Sequence, residues 1–285
     1  MKNVITAVFL LVLGSGAVAQ SETMKIEKSF DISDPGSFHL EIENICGDVT
    51  VSGYDGPSVE VSVEISMTEK RSGGLEEARE DLTLGEFELE NGLLLTMEAP
   101  WIERKWKNGR VWSKNFYREP KSYDYQYTFL VRVPKGISVS ASTVNKGDVF
   151  IEQVEGALWV RNVNGHIEVR GAHDVNEATT VNGDITIQYT KNQSSDARFH
   201  TINGDIILQL LKGWSGEVEA YSMNGEVFTA FDYRVLPAKV ERRQEKKNGG
   251  TVYKIDQKKS VAIGTGVGPR LEFETLNGNI YLKRI

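Results

Sequence analysis

One phrase recurs six times in the second half of this chain: an apolar residue, Asn, a glycine one or two places on, a polar residue, then Ile or Val. Val163-Asn164-Gly165-His166-Ile167, Val181-Asn182-Gly183-Asp184-Ile185 and Ile202-Asn203-Gly204-Asp205-Ile206 are typical copies. The others centre on Asn145, Asn224 and Asn277, and their glycines follow one another at intervals of 18, 18, 21, 21 and 53 residues. A period near 20 residues marks a stacked-repeat architecture, in which each unit buries its apolar face against its neighbours. Around each Asn the residues alternate as in half-buried strands, so each copy reads as strand, corner, strand. Asn and Gly accept positive φ at low cost, and this is the reason expected for their place in the corner. Parallel stacking into a β-solenoid and an antiparallel meander put the same residues inward. The near-identity of equivalent slots favours stacking, because stacked positions share one environment.

The ends and the composition narrow the class further. Lys2, the apolar run Val4 to Leu13 and Ala17-Val18-Ala19 have the form of a secretory leader, so residues 1–19 are expected to be a signal peptide. The expected product is exported, periplasmic or on the cell surface or secreted, with no integral membrane span. Cys46 is the single cysteine, which leaves no internal disulfide, and it lies in Asn44-Ile45-Cys46-Gly47-Asp48-Val49, a variant seventh copy. A formal charge of -7 argues against nucleic-acid binding. The expected division is a β-rich region over 20–135, with an insertion at about 100–122, followed by solenoid repeats over 136–285 with a second insertion at about 232–262. Gly74 to Leu82 reads as a short helix, and Phe87 to Met97 as a hairpin turning at Asn91-Gly92.

The repeated T-x-N-G-D-I, as in Thr180 to Ile185 and Thr201 to Ile206, resembles the bacterial putative-adhesin β-solenoid domains. Glu43 to Val51, Val133 to Gly136 and the closing Ile263 to Ile280 fit the same pattern, and the resemblance covers about 36 to 285. It implies an all-β solenoid in an exported protein of unknown function and carries over no catalytic residue. Lys146, His166 and Asn279 depart from the pattern.

No constellation in the chain points to chemistry. Asp148, His166, Asp184, Asp205 and Glu226 would line up along one edge of a solenoid, but each turn offers one carboxylate and lacks the glycine-rich loop of calcium-binding repeats. Repulsion between carboxylates one strand spacing apart (~4.8 Å) is about 1 kcal/mol or less in solvent, so no cation is required. Glycoside hydrolysis needs two carboxylates across a cleft, and no pair is evident. The four histidines lack metal-ligand spacing. No catalytic, cofactor or metal residues are therefore assigned. The expected function is a non-enzymatic, adhesin-like binding or scaffold module of the cell envelope, with an envelope glycan or envelope protein as partner. The alternative is a carbohydrate-active enzyme on a parallel β-helix. The most distinctive non-repeat feature is the basic, aromatic segment with Trp101, Trp106 and Trp112. It reads either as a cap over one end of the solenoid or as a contact surface, because Trp can stack on sugars or sit at an interface.

Overall fold

The computed structural model describes residues 7–13, 20–107, 110–115, 122–237, 243–247, 250–254 and 259–285. Two long sheets lie back to back, and a corner joins a strand of the first to a strand of the second in each coil. Numbered by position in the stack, coil 1 is Gly92–Glu98 with Tyr123–Pro134, and coil 2 is His39–Glu43 with Val49–Tyr54. Coils 3, 4, 5 and 6 are Ser138–Ser142 with Val149–Glu152, Ala157–Arg161 with Ile167–Ala172, Asp174–Thr179 with Ile185–Tyr189, and Ala197–Asn203 with Ile206–Leu210. All neighbouring coils pair in parallel, so the chain is a β-solenoid and not a meander.

After coil 6 the order in space leaves the order in sequence. Coil 7 is the C-terminal pair Arg270–Asn277 and Ile280–Arg284, and it lies between coil 6 and the earlier segment Gly216–Ser222 with Val227–Thr229, which forms coil 8. The acidic column therefore runs Asp48, Asp148, His166, Asp184, Asp205, Asn279, Glu226, with Asn279 ahead of Glu226. The expected boundary at 135/136 is likewise crossed by the sheet: Tyr123–Pro134 pairs with Val49–Tyr54, which pairs with Val149–Glu152.

The corner glycines have a different purpose from the one expected. No corner Asn has positive φ, and among the corner glycines only Gly47 and Gly204 do. The constraint is space. A Cβ on Gly183 would stand 2.1 Å from the carbonyl oxygen of Gly165, and one on Gly204 would stand 2.0 Å from that of Gly183. Gly278 on Gly204 and Gly225 on Gly278 repeat the clash at 1.9 and 2.0 Å. The coils stack glycine on glycine, and no other residue fits.

Three side-chain ladders run beside this column. Buried Thr180, Thr201 and Thr275 each donate a hydroxyl to the glycine carbonyl of the preceding coil, at 3.0, 3.0 and 3.1 Å. In the corner itself Asn164, Asn182, Asn203, Asn277 and Asn224 each donate an amide N–H to the Asn oxygen of the coil below, at 2.7–2.9 Å. In the acidic column each Oδ1 accepts the next coil's backbone N–H, as Asp184 does from Asp205 at 2.8 Å. His166 takes part through Nδ1, which accepts from the N–H of Asp184 at 3.0 Å, and Asn279 through Oδ1 from Glu226 at 3.0 Å. Both departures from the repeat keep an acceptor in the required place. Lys146 is a residue inserted ahead of Gly147, and it absorbs the extra length at φ 56. Cys46 stands in the Asn slot opposite Asn145, and its buried thiol donates to the carbonyl of Tyr125 at 3.3 Å.

Inside the stack equivalent residues pack on one another: Val149, Ile167, Ile185, Ile206 and Ile280 in one sheet, and Val160, Ala178, Phe199 and Phe273 in the other. Phe199 and Phe273 stack at 5.1 Å between centroids. Antiparallel strands cover both sheets at the coil 1 end and the first sheet at the other, which protects those edges from templating aggregation; the second sheet ends on Val227–Thr229. At the coil 1 end these are Thr83–Leu89, Ser58–Glu69 and Ser21–Asp31, with the helix Gly74–Asp81 packed beside them. At the other end Lys259–Ile263 and Tyr233–Val235 extend the first sheet. Ala7–Leu13 pairs antiparallel with the outer edge of Ser21–Asp31. The expected hairpin turns one residue early, at Glu90-Asn91, because Leu89 pairs with Gly92. Gly92 belongs to the strand, where a Cβ would stand 2.1 Å from the carbonyl oxygen of His39.

Two stability predictions follow from the stacking. Gly183→Ala should cost about 3 kcal/mol or more in denaturant unfolding, since backbone blocks the new methyl. Gly213→Ala, where nothing lies within 4 Å, should stay within about 0.5 kcal/mol. Removing residues 270–285 takes an internal strand from each sheet, and the melting midpoint should fall by more than about 10 °C. An unchanged midpoint would contradict the inserted position of coil 7.

Candidate functional site

Outward positions of the first sheet also stack into columns. One runs Glu41, Ser140, Trp159, Glu177, Arg198, Glu272, Glu219, and its neighbour begins Glu43, Ser142, Arg161. From coil 4 upward the columns are tied by cross-strand ion pairs. Arg161 forks onto Glu177 with two bonds of 3.0 Å, Arg198 reaches Glu272 at 3.1 and 3.2 Å, and Arg270 binds Glu219. Such exposed pairs add little stability singly, but they hold long side chains in fixed places.

Below coil 4 the face changes. Coil 3 offers only the small Ser140 and Ser142, flanked by Glu41 and Glu43 on coil 2 and by Trp159 and Arg161 on coil 4. Small residues between two rows of large ones leave a groove of about 550 Å³, with Leu89 also in its lining. Its two walls are two strand spacings apart, about 10 Å. His39 crosses the floor: its Nε2 shares a hydrogen bond with the Ser140 hydroxyl at 2.9 Å, and its ring meets Trp159 edge-on at 5.5 Å. Burial lowers the His39 imidazole below its ordinary pKa of 6.5, so it is uncharged at neutral pH. Arg161 is held protonated, first by its bond to Glu177 and also by Glu41. Glu43 receives the guanidinium of Arg104, which also binds Glu98, the Thr96 hydroxyl and the carbonyl of Met97.

The expected contact residues lie elsewhere. Trp101 is half-buried at the coil 1 end, 5.9 Å from the Tyr125 ring and 6.4 Å from that of Tyr123. Trp106 and Trp112 sit on the hairpin Ile102–Lys107 and Arg110–Asn115, where Trp106 pairs with Val111 and Trp112 with Lys105. Their side chains lie outside the described residues. Strand pairing thus brings Trp106 and Trp112 near one another along the hairpin, while the Trp101 ring joins the tyrosines of coil 1. The sequence reading passed over Trp159, although the aligned repeats contain the signal. Its slot holds Ser, Glu or Arg in the other coils from coil 2 upward, and a tryptophan there is out of pattern. Among the described residues no group of three His, Cys, Asp or Glu is placed to hold a metal ion.

Residues 138–226 match the Toastrack domain DUF4097, a domain family of unknown function, which spans coils 3 to 6 and most of coil 8. No curated protein matches the chain. Among solved structures, a putative cell adhesion protein from Clostridium sporogenes is similar at 11% identity and a TM-score of 0.44, over 91% of this chain and 99% of that one. A putative adhesin from Parabacteroides distasonis aligns at 9% identity and a TM-score of 0.24, over 92% and 97%.

The His39 shift has a measurable consequence. With the folded pKa below 6.5, the unfolded chain binds more protons as pH falls from about 6.5 toward the folded value, so stability is lost across that window. His39→Gln should remove this component. Between pH 7 and 5 the melting midpoint of the wild type should fall more steeply than that of the variant. Parallel slopes would show that His39 is not held neutral by burial.

Proposed function

We propose that this Toastrack-bearing solenoid is an exported, non-enzymatic, adhesin-like binding or scaffold protein of the bacterial cell envelope. The observation that carries the reading is the use of polar groups at the corners and on the first sheet. Acidic, Asn and Thr side chains in the repeat are committed to ladders, and several outward arginines to cross-strand pairs, which makes a rigid face that displays one groove. The groove is unlike a glycosidase cleft, because Glu41 and Glu43 stand two places apart on one strand and so on the same wall. An acid and a base that act on opposite faces of a sugar would be set across from each other. The adhesin names of the two similar structures agree with a binding role. Export rests on the leader-like residues 1–19. Among the described residues no helix is long and apolar enough to cross a membrane.

The test is to express the full chain in a Gram-negative host, take the intact mass of the exported product, and assay it on isolated envelopes and on polysaccharides. The expected result is a chain that begins at Gln20, sediments with envelope material and releases no sugar. Turnover of any polysaccharide would overturn the reading in favour of a carbohydrate-active enzyme, and retention in the cytoplasm would remove the envelope.

A further inference from the structure

We infer that the groove between Trp159 and Glu41 is a saccharide site that takes one or two pyranose rings of a neutral glycan. The inference rests on the binding-module reading and gives it a location and a ligand class. Three observations point the same way. The first is the tryptophan. A large aromatic ring in a column otherwise built of Ser, Glu and Arg offers an apolar face beside polar groups, the combination a pyranose presents in return with its C–H face and its hydroxyls. His39 packs edge-on against that ring and fixes it, so little side-chain freedom is lost when a ligand arrives.

The second is the arrangement of polar groups. Arg161 is a donor beside Trp159, while Glu41 and Glu43 are acceptors on the opposite wall. Each carboxylate has about four lone-pair sites, so one that meets a guanidinium can still accept from vicinal hydroxyls. Arg161 is held by Glu177, and Glu43 by Arg104, so both walls are pre-oriented. The floor is made of hydroxyls: Ser140 shares a hydrogen bond with His39, Ser142 donates to the Ile42 carbonyl, and each oxygen keeps a lone pair that can accept.

The third is charge. Glu41 and Glu43 line the groove, Glu98 and Glu177 lie behind it, and the counter-charges are Arg104, Arg161 and, next to Glu177, Arg198. Four carboxylates to three guanidiniums leave one negative charge in excess, which disfavours uronic or sialic acids. A neutral glycan suffers no such penalty.

Tryptophan fluorescence and calorimetry on the mature protein, with cellotriose and chitotriose as neutral probes and trigalacturonic acid as the acidic one, test the assignment. At least one neutral trimer should bind, and the acidic trimer should bind at least tenfold more weakly. Trp159→Ala should weaken binding at least tenfold, Trp159→Phe should retain part of it, and Ser140→Trp should block the groove. Melting curves for each variant separate lost binding from lost fold. Binding that survives Trp159→Ala, or a preference for the acidic trimer, would overturn the assignment. If the wild type binds envelopes but neither neutral trimer, the saccharide site is wrong and the binding-module reading stands. If it binds neither, both fall.

Discussion

At the corners of the stack the backbones of successive coils come so close that no side chain fits between them. A Cβ on any of the corner glycines Gly147, Gly165, Gly183, Gly204, Gly278 and Gly225 would lie about 2 Å from the backbone of the coil below. The rest of the structure depends on that approach. It brings the carbonyls of Gly47, Gly165, Gly183 and Gly204 within reach of a buried Thr hydroxyl, and those of Gly147 and Gly278 within reach of the Asn162 amide and the Ser222 hydroxyl. It also brings corner Asn within reach of Asn, and each acidic Oδ1 within reach of a backbone N–H. A buried carbonyl without a partner would cost on the order of 1–3 kcal/mol, so the Thr slot is part of the same solution. Because the corner fixes register, it also places Ile on Ile and Phe on Phe in the core.

The same rule explains how the C-terminal coil can lie inside the stack. Thr275, Asn277, Gly278 and Asn279 make on coil 6 the contacts that coils 5 and 6 each make on the one below. Coil 8 then makes them on coil 7 through Ser222, Asn224, Gly225 and Glu226. Residues 270–284 are thus internal to both sheets. Coil 8 reaches its place only when they arrive, which makes this end rich in long-range contacts and slower to form than the sequential coils 3 to 6.

Much of this was legible in the chain. The period, the two strands per copy, the inward residues and the helix near Gly74 all follow from patterning within a copy. What a single copy cannot show is what its side chains meet in the next one. Asn182 looks like a turn residue in its own strand–corner–strand unit, and only its neighbours Asn164 and Asn203 reveal an amide ladder. His166 and Asn279 look like interruptions until the acceptor role of the column is known. The place of coil 7 was hidden for the same reason, since ladders that accept any copy do not state the order of copies. For the groove the signal lies in the stacked column and not in local density: Trp159 has no aromatic cluster around it in sequence, yet it is out of pattern in its column and lines the groove beside His39.

The order of the coils can be read chemically. Stacked corner positions in neighbouring coils are about 4.8 Å apart, within the range of about 4.4–6.8 Å between Cα atoms that a disulfide accepts, and positions two coils apart are not. In a Cys46→Ser background, oxidation of N203C/N277C and of N203C/N224C can be compared by mass spectrometry. If corner stacking places the C-terminal coil on coil 6, the first pair closes and the second stays reduced. Closure of N203C/N224C with N203C/N277C left open would mean that the coils stack in sequence order, and the account of coil 7 would be wrong.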